Sequence, residues 1–209
     1  MKTTKIAVLV SGGGTNLQAL IDAQSRGELG DGQITAVISS KAGAYALERA
    51  KKAGIPGFVL PRKEFASNQE MTVALVEMLK QQEIDLVVLA GCMIIFTEEL
   101  VQAYPNAIMN VHPALIPSFC GKGFYGLHVH EAVLSYGVKL SGATVHFVSE
   151  ECDGGPIIAQ KAVPVLEGDT PESLQKRIME EAEWKLLPEA VRLFCQGKLS
   201  VVGRTVIIE

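Results

Sequence analysis

The chain has 209 residues, 48% hydrophobic and 20% charged, with a formal net charge of -4. That length suits one α/β domain with a sizeable core, and the apolar content excludes a disordered chain. The acidic balance offers no basic footprint for nucleic acid, no apolar run reaches the length of a membrane span, and Met1 to Lys5 leads into too few apolar residues for a secretory signal.

Residues 6–10 form a continuous apolar run and predict a buried first strand. It breaks at Ser11-Gly12-Gly13-Gly14-Thr15-Asn16, and Leu17, Leu20 and Ile21 then recur at the spacing of one helix face. A strand, a glycine loop and a helix in that order make an anion site, because free amides and the helix dipole point at one spot. The spacing matches neither the dinucleotide fingerprint nor the P-loop, so a single phosphate monoester fits better than a pyrophosphate. The alternative is a tight turn with a helix cap.

Residues 34–38 predict a second strand, 44–52 a helix closed by Gly54, and 57–60 a short strand. Residues 68–82 predict a long helix with Val73, Leu75, Val76 and Leu79 on its apolar side. Residues 84–90 predict another buried strand, ending in Gly91. The apolar Met93, Ile94, Ile95 and Phe96 follow, as core or as the wall for a flat heterocycle. Thr97-Glu98-Glu99 then carries a helix-start signal, a cap residue with acids in the first turn.

Residues 107–111 read as a buried strand ending at His112, since Pro113 cannot donate to a sheet ladder. Asn110 and His112, two residues apart, face the same side at a carboxyl end, where open α/β sheets bind ligands. Each taken alone also fits a turn-satisfying amide or a core histidine. Gly121, Gly123 and Gly126 mark residues 121–126 as a loop and candidate lid. His128 and His130 open the next helix and are expected at the surface, because positions two apart on a helix do not share a face for a metal.

Residues 142–148 predict a strand, and Asp153-Gly154-Gly155-Pro156 a loop able to approach another closely. Residues 157–165 are a further strand. Thr170-Pro171 starts a helix on which Leu174, Ile178, Ala182 and Leu186 share a face, and Pro188 is expected to kink or split it. Residues 199–208, around Gly203-Arg204, predict a hairpin. No repeat or linker divides the chain, so residues 1–209 are expected to form a single domain. Cys92, Cys120, Cys152 and Cys195 match no zinc or redox spacing and are expected as reduced thiols of a cytoplasmic protein, with a nucleophilic thiol as the alternative.

Asn110, His112 and Asp153 can converge as a proton-handling set. A carboxylate beside an imidazole is expected to fix its tautomer and raise its pKa, and an amide beside it can stabilise an oxyanion. No activated nucleophile accompanies them, which points to direct transfer between two bound substrates.

Asn110-Val111-His112-Pro113, then Leu115-Ile116-Pro117, then Asp153-Gly154-Gly155-Pro156, with Ser11 to Gln18 at the start, resembles the formyltetrahydrofolate-dependent formyltransferases over residues 5–199. Together with the alternating strands and helices, the resemblance implies an α/β fold: a Rossmann-like, mostly parallel sheet with helices on both faces and a C-terminal antiparallel extension. It implies that 10-formyltetrahydrofolate is the co-substrate, with no metal, and that the amine of 5'-phosphoribosylglycinamide receives the formyl group. Asn110, His112 and Asp153 would be catalytic. Gly14, Thr15, Asn16 and Glu183 would bind the nucleotide. Asn68, Met93, Ile94, Ile95, Phe96 and Asn110 would bind folate.

Asn68 and Ile94 stand where many relatives carry Arg, and Trp184 where a His is frequent. Partners are expected to be small molecules, neither nucleic acid nor membrane, in a monomer or homodimer. Methionyl-tRNA formyltransferase usually carries an added C-terminal domain and formyltetrahydrofolate deformylase an added N-terminal one, and neither is expected within these 209 residues. A non-catalytic nucleotide-binding protein would not need the Asn–His–Asp set.

Overall fold

The computed structural model describes residues 2–209. Among the described residues, nine strands form one sheet. They are β1 (Thr4–Val10), β2 (Gly32–Ser39), β3 (Gly57–Val59), β4 (Leu86–Leu89), β5 (Ile108–His112), β6 (Leu140–Phe147), β7 (Ile157–Pro164), β8 (Leu199–Val202) and β9 (Thr205–Ile208). Their order is β3-β2-β1-β4-β5-β6-β7-β9-β8. β1 to β5 run parallel, β6 is antiparallel to β5 and β7 to β6, and the β8–β9 hairpin joins through β9. This is the α/β architecture expected, with its antiparallel C-terminal extension.

The parallel strands are apolar on both faces because both faces are covered. Ile6, Val8 and Val10 of β1 join one core with Leu17 and Leu20 of α1 (Thr15–Ser25), Ala46 of α2 (Tyr45–Lys52) and Leu187 of α7 (Trp184–Cys195). Ala7 and Leu9 join the opposite core with Leu75 and Leu79 of α3 (Asn68–Gln81) and Leu100 of α4 (Glu98–Ala103). A third cluster lies under α5 (Leu127–Tyr136) and α6 (Pro171–Ile178). Among the described residues, no helix is long and apolar enough to cross a membrane.

Four expectations need correcting. Val73 is exposed, and Met71 and Thr72 are buried in its place, because α3 turns its 71/72/75/76/79 face to the sheet. His130 is fully buried on α5, while its neighbour His128 is exposed and pairs with Glu131 over 3.0 Å. Residues two apart on a helix differ in face, so one of the pair could turn inward. Pro188 lies within α7 without splitting it, and the irregularity is a π-helical turn over Met179–Glu183. A side chain every fourth residue drifts by about 40° per step on an α-helix, and a wider turn corrects that drift. Leu174, Ile178 and Ala182 accordingly share one core. Thr170 behaves as expected: it forms a capping box with Ser173, with Pro171 opening the helix. The fourth correction concerns the electrostatics of His112 and belongs with the site.

Candidate active site

The sheet's order reverses between β1 and β4, and the segments leaving their carboxyl ends diverge there as a ligand crevice requires. After β1 comes the glycine loop. Gly14 sits at the N-cap of α1 with φ 72, and an added Cβ would lie 2.6 Å from the Ala46 Cβ, so only glycine fits. After β4 come Met93 to Phe96, without regular secondary structure. Met93 and Ile95 are exposed, while Ile94 and Phe96 pack on the core beneath, so the segment is wall and core at once. The Met93 N–H donates to Ser11 Oγ over 2.9 Å and ties the two loops together.

After β4 and β5 opens a cleft of about 1,120 Å³. Met93, Ile94, Ile95 and Phe96 line it, together with Asn110, His112, His146 and Asp153 and the loop of residues 121–126. Asn110 and His112 do share a side of β5. His112 Nδ1 is 3.6 Å from Asp153 Oδ2, and Asn110 Nδ2 is 3.5 Å from Asp153 Oδ1. Asp153 adopts φ 54, a left-handed backbone that holds its carboxylate toward β5. Its Oδ2 also accepts the Gly121 N–H over 2.8 Å. Gly155 lets this loop close down, since a Cβ there would run into the Phe147 carbonyl.

His146 completes the cluster and was not among the residues predicted for it. β5 pairs with β6 so that Asn110 stands opposite His146 and His112 opposite Thr144. Asn110 Nδ2 lies 3.1 Å from His146 Nε2, and His146 Nδ1 lies 2.8 Å from the Phe147 carbonyl. A carbonyl only accepts, so Nδ1 carries the proton and Nε2 accepts from the amide. The alternating pattern of residues 142–148 could mark His146 as one face of a strand, but the pairing register alone puts it opposite Asn110. Thr144 Oγ1 donates to the Ala114 carbonyl over 2.7 Å and accepts the Ile116 N–H over 3.1 Å, fixing the chain just after His112.

The electrostatics correct the expectation for His112. Burial lowers its pKa, and this outweighs Asp153 and the Phe119 carbonyl, which raise it. Its Nε2 is 2.8 Å from that carbonyl, so the neutral ring carries its proton there and turns Nδ1 toward the carboxylate. Burial raises Asp153, but His146, His112 and the Gly121 amide together bring it below its ordinary value, so it stays ionised.

The remaining predicted residues form a second group. Asn16 Nδ2 donates to Glu183 Oε2 over 2.6 Å, and both residues are buried. Burial, against that bond, raises Glu183 to about 7. Thr15 Oγ1 lies 3.6 Å from Met179 Sδ. Gly14, Thr15, Asn16 and Glu183 do not line the cleft beside Asp153; Gly14 caps α1, whose first turn holds Thr15 and Asn16. Asn68 does not line the cleft but touches the apolar segment, its Nδ2 3.4 Å from the Ile95 carbonyl, and it accepts a hydrogen bond from Arg62. No group of three or more metal-ligating side chains occurs among the described residues.

Residues 4–191 match the formyl transferase family. The chain is 42% identical over 196 residues to the chloroplastic phosphoribosylglycinamide formyltransferase of Arabidopsis thaliana, covering 93% of this chain and 66% of that protein. It therefore spans slightly less than two thirds of that plant relative. It is 43% identical over 195 residues to phosphoribosylglycinamide formyltransferase of Haemophilus influenzae, covering 93% of this chain and 89% of that one. The crystal structure of glycinamide ribonucleotide transformylase 1 from Symbiobacterium toebii superposes with a TM-score of 0.93 at 45% identity, over 99% of this chain and 94% of that one.

Proposed function

We propose, from the premise that the chain belongs to the formyl transferase family, that it moves the formyl group of 10-formyltetrahydrofolate to the amine of 5'-phosphoribosylglycinamide. The observation that carries this reading is the convergence of Asn110, His112 and Asp153 on a cleft that the apolar segment Met93 to Phe96 also lines. Phosphoribosylglycinamide formyltransferases of similar length and fold support the choice of acceptor.

The folate lies against Met93, Ile94, Ile95 and Phe96, with Asn68 beside Ile95. The nucleotide phosphate meets the amides of Gly14, Thr15 and Asn16, backed by Glu183. The amine attacks the formyl carbon, and its lone pair forms the new C–N bond as the carbonyl electrons move onto oxygen. The Asn110 amide donates to that oxyanion. His112 donates a second hydrogen bond once Nε2 exchanges the Phe119 carbonyl for the oxyanion, and its protonated form is held by Asp153. Phe119, whose carbonyl must give up that bond, is left-handed at φ 51 without being glycine. Asp153 takes the amine's proton through water and delivers it to N10 of the folate as the oxyanion re-forms the carbonyl and the C–N10 bond breaks. A positioned histidine of this kind contributes ~10²–10⁴-fold in rate.

Residues 1–209 act as one formyltransferase domain on small molecules, as a monomer or homodimer, without a metal. Four free cysteines support a reducing, cytoplasmic setting. The test supplies 10-formyltetrahydrofolate with and without 5'-phosphoribosylglycinamide and follows loss of the formyl group. Turnover only with the amine is expected. Turnover without it makes the protein a deformylase, and no turnover leaves a nucleotide-binding protein.

A further inference from the structure

Arg49 lies on α2, outside the cleft and outside every role assigned above. Its Nε donates to the Gly13 carbonyl over 2.8 Å, and its Nη1 to Gln18 Oε1 over 2.9 Å. The guanidinium also sits over the Tyr45 ring, 5.0 Å from its centroid. One turn earlier on the same helix, the Ala46 N–H donates to the Gly12 carbonyl over 3.1 Å. Two consecutive carbonyls of the glycine loop are thus held by α2.

A trans peptide points its C=O and the following N–H in opposite directions. Holding the carbonyls of Gly12 and Gly13 against α2 therefore turns the amides of Gly13 and Gly14 away from it. Neither amide donates a hydrogen bond among the described residues. They join the free N–H groups of the first turn of α1, where the first bond back is Gln18 to Gly14. Asn16, in that same turn, is 8% exposed and keeps a buried, unpartnered Oδ1. A run of three glycines has unusually many conformations to lose, and a loop left free would be ordered at the expense of binding.

We propose that Arg49 is a positioning residue for the nucleotide's phosphate: its bond to the Gly13 carbonyl presets the Gly13 and Gly14 amides to receive a phosphate monoester. It thereby sets the preference for a phosphorylated over a dephosphorylated acceptor. The identity of the acceptor rests on the formyl-transfer reading; the preset loop does not.

The test combines kinetics with a binding readout on the full chain. Arg49→Ala is expected to raise KM for 5'-phosphoribosylglycinamide about tenfold, the size of one hydrogen bond to a charged group. The kcat and the KM for the folate should stay within about twofold, and Arg49→Lys should recover most of the loss. In ¹⁵N spectra, ribose 5-phosphate should shift the Gly13 and Gly14 amides of the wild type, and Arg49→Ala should need about tenfold more ligand. If Arg49→Ala does not fold, Gln18→Ala frees the other end of the guanidinium and should move both readouts in the same direction by less. An unchanged nucleotide KM and unchanged amide titration in folded variants would overturn the role. So would a fall in kcat that parallels the rise in KM. A wild type that shifts these amides but transfers no formyl group refutes the formyl-transfer reading and leaves the role of Arg49 standing.

Discussion

His112 Nδ1 faces Asp153 Oδ2 across 3.6 Å, while the other ring nitrogen is held by the Phe119 carbonyl at 2.8 Å. The carboxylate raises the histidine pKa, and burial lowers it more. The sign of each contribution can be tested separately. Asp153→Asn removes the raising charge and is expected to move the His112 pKa still lower, as followed by the NMR titration of its ring protons. An unchanged or higher value would show that the two groups are not coupled. The same variant, and His112→Ala, should each lower kcat by ~10²–10⁴-fold under saturating substrates. Near-normal turnover in either would remove that residue from the chemistry.

His146 holds the Asn110 amide from the neighbouring strand at 3.1 Å. His146→Phe leaves that amide free to turn. Kinetics of this variant should show kcat reduced about tenfold to a hundredfold, from the loss of one buried hydrogen bond and its orientation, with the folate KM little changed. A rise in folate KM at constant kcat would assign His146 to binding instead.

Gly155 passes against the Phe147 carbonyl, at the point where the Phe147 N–H also donates to the Pro156 carbonyl over 2.9 Å. Gly155→Ala must push the Asp153 loop off β6. Denaturant unfolding is expected to show a loss of about 1–3 kcal/mol, with kcat falling as Asp153 retreats from His112. Wild-type stability and activity together would show that the loop gives way freely.

Two buried groups act oppositely on stability as pH changes. Burial, reinforced by the charge of His112, lowers His130 from 6.5 to about 4. Below 6.5 the unfolded chain therefore binds a proton that the folded chain refuses, and stability falls as pH drops toward 4. Glu183 is raised from 4.5 to about 7, so the folded chain keeps a proton that the unfolded chain has lost, and stability falls as pH rises toward 7. Each effect reaches about 3 kcal/mol, and the two slopes oppose each other between pH 4.5 and 6.5. Melting temperature against pH should therefore steepen in opposite senses in the variants. His130→Leu should melt lower as pH rises from 5 to 7, and Glu183→Gln should melt lower as pH falls from about 6.5 to 4. Parallel profiles for both variants and the wild type would contradict these assignments.

Much of the site was written in local spacing. The two-residue period of a strand set Asn110 and His112 on one side, and a proline after His112 ended the strand there. Three glycines between an apolar run and an amphipathic helix marked the anion loop, and Thr170-Pro171 marked the start of α6. These signals survive because they depend on backbone geometry over a few residues. Tertiary structure alone decided the rest. The antiparallel register brought His146 to Asn110, 36 residues away, and packing joined Asn16 to Glu183 across 167. The orientation of α5 buried His130 and exposed His128, and the depth of His112 reversed the direction expected from its carboxylate neighbour. Periodicity says which side chains share a face. Which face is covered, by what, and at what cost to a charge depends on segments far apart in sequence.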